Sequence, residues 1–245
     1  MKAMIFAAGL GTRLRPITDT MPKALVHVCG KPLLYHTICK LRDAGYDDIV
    51  VNVHHFPEQI REYLQAHDFG VKISISDEYE QLLETGGGIL AARQLLAGEA
   101  PFLVHNVDIV SNLDLSLLRS ATRPEDLATL VVSSRDTRRY LLFDDDMRLV
   151  GWTDTATGEV RSPFPGLDPS ACHKYAFSGI HNISPSVFSV MDTLGFTGRF
   201  PIMDFYVKAC AEYPIRGYLA EDLKMVDVGK LDTLPEAERI CATLL

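Results

Sequence analysis

The first 110 residues alternate short apolar runs with amphipathic stretches, and that alternation leaves few folds open to the chain. Lys2 to Phe6 reads as a buried strand and runs straight into the small residues and glycines of AAGLGTRLRP, Ala7 to Pro16. Lys31 to Gly45 puts Leu34, Ile38 and Leu41 on one helical face, with Gly45 as the stop. A second strand follows at Asp47 to His55, then a helix opened by Pro57 with Ile60 and Leu64 facing inward. Val71 to Asp77 alternates as a third strand, Glu84 to Leu96 reads as a glycine loop running into a helix, and Ala100 to Asp108 is a fourth strand. Strand and helix in strict turn predict a parallel sheet with helices on both faces, and such sheets bind ligands at the carboxyl ends of their strands. Both glycine loops and the Asn106-Val107-Asp108 turn fall at such ends.

After residue 110 the pattern changes. Leu127 to Ser134 reads as a strand, and Tyr140–Phe143 with Arg148–Trp152 as an antiparallel hairpin turned by Asp144, Asp145 and Asp146. Lys174 to Ile183 is a further strand, Pro201 opens a helix, Lys224 to Gly229 is a last strand, and a closing helix carries Pro235 near its start. Thr153 to Ser170, rich in Gly, Pro, Asp and Ser, is expected to be the longest irregular piece. No linker, repeat or low-complexity segment divides the 245 residues, so one α/β domain over 1–245 is expected, with a mostly parallel mixed sheet flanked by helices.

Charge narrows the partners. A net charge of −8 argues against nucleic acid and anionic membrane surfaces, which draw on clustered Lys and Arg. Yet Met1 to Lys31 holds Lys2, Arg13, Arg15, Lys23 and Lys31 against the single acid Asp19, a local excess that suits a small anionic ligand. The five scattered cysteines form no Cys-x-x-Cys pair, which supports neither a disulfide framework nor a zinc site and points to a reducing cytoplasm. No apolar run approaches the roughly 18 residues of a membrane span. The eight histidines show no ligand spacing, and adjacent His54 and His55 on a strand would face opposite ways.

The first glycine loop can be typed by elimination. Gly9-Leu10-Gly11 begins like a dinucleotide fingerprint, but Leu14 stands at the third glycine, and no Gly-Lys-Ser/Thr follows to make a P-loop. What is left is a loop whose backbone N–H groups can cradle phosphates, with Arg13 and Lys23 as cations beside it. The triple glycine after Glu84 and Thr85 would let a flat ring lie against main chain.

These motifs together resemble the signature of the sugar-1-phosphate nucleotidyltransferases: Gly9-x-Gly11-Thr12-Arg13-Leu14-x-Pro16, then Pro22-Lys23, then Gly30-Lys31-Pro32-Leu33. The likeness continues through Glu84 to Ile89, Asn106 to Asp108, Phe177 to Ile180 and Val226 to Gly229, nearly the whole chain. It implies a single Rossmann-like domain of the GT-A type, with a nucleotide-binding half (1–110) and a sugar-phosphate-binding half (111–245). It also implies transfer of a nucleotidyl group from a nucleoside triphosphate to a sugar 1-phosphate, with release of pyrophosphate. Carried over residue by residue, Arg13 and Lys23 are catalytic, Ala8, Gly9, Gly11, Thr12, Glu84, Thr85, Gly86 and Gly87 bind nucleotide, and Asp108 and Asp227 hold Mg²⁺. Asn106, Ser178, Gly179, Lys174 and Asp204 become the sugar-phosphate contacts. The loop Leu83 to Ile89 is most similar to that of N-acetylmuramate-1-phosphate uridylyltransferases, which favours UTP; guanylyl- and cytidylyltransferases share much of the framework. Val107, Met225 and Lys230 depart from the family pattern around the two aspartates. A glycosyltransferase consuming a nucleotide sugar, with the Asp144–Asp146 run in view, and a non-catalytic nucleotide-sugar-binding protein stay open as other classes.

Overall fold

The computed structural model describes residues 1–78 and 80–244. The chain opens with β1 (Lys2–Phe6), passes three short 3-10 turns, and forms the small pair β2 (His27–Val28) and β3 (Lys31–Pro32). It then alternates α1 (Leu33–Asp43), β4 (Asp48–Val53), α2 (Pro57–Gln65), β5 (Lys72–Asp77), α3 (Glu84–Ala91), α4 (Arg93–Leu96) and β6 (Phe102–Asn106). The remainder comprises β7 (Ile109–Ser111), α5 (Leu115–Ala121), β8 (Ala128–Ser133), β9 (Arg139–Phe143), β10 (Leu149–Asp154), β11 (Glu159–Arg161) and β12 (His173–Ile183). Last come α6 (Val187–Thr193), α7 (Ile202–Ala209), β13 (Ile215–Leu219), β14 (Met225–Asp227) and α8 (Leu234–Leu244).

One large sheet runs in the order β11-β10-β9-β12-β6-β1-β4-β5, with β8 paired to β12 and β13 to β8. The strands of the first half are parallel, as the βα alternation requires: β1 lies between β4 and β6, and β5 lies outside β4. The second half joins through antiparallel β12, whose first residues pair with β9 and whose remainder pairs with β8 and β6. Alternate strand residues feed two cores. Ile5, Val51 and Leu103 pack with Leu34, Ile38 and Leu41 of α1 and Ala237 of α8, while Met4, Val50 and Val104 pack with Ile89 of α3 and Phe205 of α7. Each fully buried aliphatic side chain contributes about 1.5–3 kcal/mol, which is what fixes the register of these strands.

Two expectations change. The Thr153–Ser170 stretch carries the end of β10 and all of β11, paired through Thr153 and Val160. All three β11 side chains are exposed, so no apolar alternation marks that strand. The triple glycine is helix rather than a loop before one, because α3 begins at Glu84. Its glycines admit close neighbours: a Cβ at Gly86 would lie 2.2 Å from the Phe200 ring, and one at Gly87 would lie 2.3 Å from the Gly198 carbonyl oxygen.

Candidate active site

The register of the parallel strands puts a row of polar groups at one edge of the sheet. Phe6 pairs with Asn52 on one side and with Asn106 on the other, so the chain leaving β1 passes between two amides. Buried Asn52 accepts from Ala7 N at 2.7 Å and Ala8 N at 3.3 Å. Its own amide donates to Glu78 Oε1 at 2.7 Å, and Glu78 Oε2 accepts from Leu83 N at 2.9 Å. A carboxylate 2 % exposed is thereby bonded at both oxygens; burial still pushes its acid up from the ordinary range. Asn52 and Glu78 together tie the first glycine loop to the segment entering α3.

The glycine loop itself turns at Gly11, where φ is +63° and a Cβ would lie 2.8 Å from Thr18 Cγ2 and 3.1 Å from Lys23 Cβ. A side chain there would be strained and crowded at once. Thr18 Oγ1 donates to Gly11 O at 2.8 Å, closing the loop over Lys23. A Cβ at Gly9 would meet no atom of the described residues within 4 Å.

The two distant aspartates are brought together by a second, two-stranded ladder. In it Asp227 of β14 pairs with Ile109 of β7, and Val228 N donates to Asp108 O at 2.8 Å. Lys23, 8 % exposed, donates its ammonium to Asp108 Oδ2 and lies 4.0 Å from Asp227 Oδ1. Partial burial, then the Asp108 charge, raises the Asp227 carboxyl above its ordinary range against the pull of Lys23 and Arg13. A Cβ on Gly229 would fall 2.7 Å from both an Arg13 guanidinium nitrogen and Asp227 Oδ1, so that glycine leaves room for the arginine to reach the aspartate pair.

A cavity of about 460 Å³ sits over these groups. Its walls include Ala8, Gly9, Gly11, Thr12, Arg13, Lys23, Glu84, Thr85, Asn106 and Asp108, joined by Asn52 and Glu78. Of the aspartate pair only Asp108 lines the cavity, and Asp227 lies beside it next to Lys23 and Gly229; fixed cations, open backbone and these hard oxygen donors suit a polyanion with a hard cation. The nucleotidyl transferase family model matches residues 2–144. The chain belongs to the nucleotidyl transferase family.

Relatives of this nucleotidyl transferase follow the same line. An N-acetylmuramate alpha-1-phosphate uridylyltransferase of Caulobacter vibrioides is 33 % identical over 236 residues, 91 % of this chain and 90 % of its own length. A protein of the same name from Neisseria meningitidis serogroup B is 47 % identical over 117 residues, 47 % of this chain and 50 % of its own. A UDP-glucose pyrophosphorylase solved with UDP-glucose shares the fold, with a TM-score of 0.78 at 18 % identity, covering 99 % of this chain and 98 % of its own.

Other expected residues lie elsewhere. Gly86 and Gly87 are outside the cavity wall; their N–H groups donate to Phe200 O at 2.9 and 3.1 Å, and their smallness serves helix packing. Glu84 reaches the cavity with φ at +61° while its carboxylate holds Arg199 at 2.7 Å. Buried Ser178 and Gly179 lie behind the wall, where a Gly179 Cβ would be 2.7 Å from the Asn106 amide nitrogen. Lys174 is exposed at the start of β12, opposite Leu142 of β9 and away from the cavity, because the strand's early residues serve the hairpin. Asp204 faces a different cavity and pairs with Arg161 at 3.1 Å. The Asp144–Asp146 run is a hairpin turn, with Asp144 Oδ1 accepting from Asp146 N at 3.0 Å and Arg148 N at 2.8 Å. His54 and His55 hydrogen-bond the Glu78 and Thr18 carbonyl oxygens. Sequence reading missed Asn52 and Glu78; an amide inside the apolar run IVVNV and an acid just past a strand were the available signals.

Proposed function

We propose that this nucleotidyl transferase moves a nucleotidyl group from UTP to N-acetylmuramate 1-phosphate, releasing pyrophosphate. The observation that carries the reading is the convergence of Arg13, Lys23, Asp108 and Asp227 beside one cavity at the carboxyl ends of β1 and β6. The likeness to two N-acetylmuramate alpha-1-phosphate uridylyltransferases supports the choice of UTP and of the acidic amino sugar. In this reading residues 1–110 hold the nucleotide and 111–245 the sugar phosphate.

A sugar-phosphate oxygen attacks the α-phosphorus, a new P–O bond forms, and the bond from the α-phosphorus to the bridging oxygen breaks, that oxygen leaving with its electron pair as pyrophosphate. The nucleophile is already ionised near neutral pH, since the second pKa of a phosphate monoester is about 6, so no general base is required. The work left to the protein is alignment and neutralisation of repelling anions. The loop around Gly9 and Gly11 presents N–H groups to the triphosphate. Arg13 stabilises the departing pyrophosphate, and Lys23 bridges the α-phosphate and the incoming phosphate. Asp108 and Asp227 are hard oxygen donors, Asp227 raised by burial and then by the Asp108 charge, and they would hold Mg²⁺ together with water and substrate oxygens. When bound, that ion supplies charge neutralisation at the phosphates. Asn52 and Glu78 hold the backbone of the nucleotide half in place.

Pyrophosphate release tests the reading directly. ATP, CTP, GTP and UTP are offered with N-acetylmuramate, N-acetylglucosamine and mannose 1-phosphates in the presence of Mg²⁺. UTP with N-acetylmuramate 1-phosphate should give the highest kcat/KM; no pyrophosphate from any pair would overturn the assignment.

A further inference from the structure

Beside the first cavity lies a second of about 530 Å³, bordered by Arg135, Arg138, Arg139, Trp152, Arg161 and Phe177 among others. Among the described residues the two have no lining residue in common but are linked through neighbouring residues. Phe177 faces the second, while Gly179, two residues on, packs against the Asn106 amide of the first. Thr85 of the first accepts at its hydroxyl from Ile202 N at 2.9 Å, and Pro201 and Met203 on either side of Ile202 border the second.

The charges of this second cavity do not balance. Asp154 is held by both side-chain nitrogens Nε and Nη2 of Arg138, at 3.0 and 2.7 Å, and the same carboxylate lies 3.5 Å from Arg139 Nε. Arg161 carries both Glu159 and Asp204, at 2.6 and 3.1 Å. Arg135 forms no ion pair among the described residues; one of its N–H groups donates to Phe177 O at 3.0 Å. Among the described residues that border it, four guanidinium groups therefore face three carboxylates, and the two least engaged, Arg135 and Arg139, are exposed to whatever enters. The half-buried rings of Trp152 and Phe177 supply apolar surface between them, with Arg161 stacked 4.8 Å from the Trp152 centroid. A ring-bearing ligand with an anionic substituent matches this wall, since guanidinium groups bind carboxylates through paired N–H bonds.

We propose that Arg135, together with Arg139, sets the sugar specificity of this enzyme by binding a carboxylate carried on the sugar ring. The inference rests on the reading of the first cavity as the transfer site. A sugar phosphate anchored there by Lys23 extends past Asn106 toward Phe177, so its acidic substituent meets Arg135. Arg138 is a positioning residue: its pairing with Asp154, and Thr155 N donating to its carbonyl at 2.7 Å, fix the loop that carries Arg135 and Arg139.

The experiment compares N-acetylmuramate 1-phosphate with N-acetylglucosamine 1-phosphate, which lacks the carboxylate. In Arg135→Ala the ratio of kcat/KM for the acidic over the neutral sugar should fall about 10- to 100-fold, mainly through KM, as expected for a lost charge-assisted hydrogen bond. Arg139→Ala should lower the ratio in the same direction, and Arg135→Lys should recover part of it. An unchanged ratio, or equal loss on both sugars, overturns the inference. Calorimetric titration of N-acetylmuramate 1-phosphate reads the contact without turnover, and its Kd should rise by the same factor in Arg135→Ala. Equal Kd values overturn the inference even if the enzyme releases pyrophosphate. Arg135-dependent binding without any pyrophosphate would instead refute the transfer reaction and leave this inference standing.

Discussion

Replacing Asn52 with leucine removes three hydrogen bonds at the base of the active site while keeping the side chain's shape. The structure sets the size of the effect. Ala7 N, at 2.7 Å, and Ala8 N, at a longer 3.3 Å, lose their acceptor, and buried Glu78 loses a donor at 2.7 Å. A neutral hydrogen bond contributes about 1 kcal/mol net and one to a charged group about 1.5–3 kcal/mol, so Asn52→Leu should lose about 3–5 kcal/mol. The upper end applies because the orphaned groups cannot reach water: Asn52 and Glu78 are each 2 % exposed. Urea unfolding measures the stability, and the KM for UTP reports the position of the loop; the variant should be weaker in both. Asn52→Leu combined with Glu78→Leu should be less destabilised than the sum of the single changes, since it removes the stranded carboxylate as well as its donor. A loss below about 1 kcal/mol with wild-type KM would refute the role given to this pair.

Gly87→Ala should cost about 1–3 kcal/mol of stability, because its Cβ would press on the Gly198 carbonyl oxygen at 2.3 Å, which is backbone and cannot rotate away; unchanged urea unfolding would contradict the packing role. Lys23→Met should lower kcat about 100- to 1,000-fold in single-turnover assays, and Asp108→Ala should abolish Mg²⁺-dependent turnover in a protein that still gives a native circular dichroism spectrum; activity in either would remove that residue from the site. Burial lowers His105 to about 4 and His181 to about 3. A folded-state pKa below the unfolded value of about 6.5 leaves stability intact above pH 6.5 and removes it as pH falls toward 4, by roughly 3 kcal/mol for His105. Urea unfolding at pH 7.5 and pH 5 should show a smaller drop for His105→Gln than for the wild type, and an equal drop would rule out this source.

Much of the site was legible because its parts are contiguous in the chain or carry distinctive chemistry. Gly9 to Pro16 reads as a backbone cradle from its glycines alone, and Asp108 and Asp227, each following an apolar strand in the sequence, lie side by side through the pairing of β7 with β14. Asn52 and Glu78 lie 26 residues apart and become partners only through the pairing of β4 with β1 and β5. Glycines carry a different ambiguity. Gly86 and Gly87 are small for Phe200 and Gly198, residues more than a hundred positions away, and sequence alone cannot tell room for a ligand from room for a neighbour. In the second half the path of the hairpin decides which cations face a cavity, so Lys174 pointed away while Arg135 and Arg139 converged. β11, exposed along its length, left no pattern to read.

The chemical claim at the centre of this account is attack of a sugar-phosphate oxygen on the α-phosphorus in a cradle of Arg13, Lys23 and the aspartate pair. It is tested most directly by supplying sugar 1-phosphate labelled with ¹⁸O in its phosphate, together with UTP and Mg²⁺, and locating the label by ³¹P nuclear magnetic resonance. The account predicts ¹⁸O in the bridge between the two phosphorus atoms of the nucleotide sugar and none in the released pyrophosphate. A nucleotide sugar with unlabelled phosphates, or label in the pyrophosphate, would contradict it.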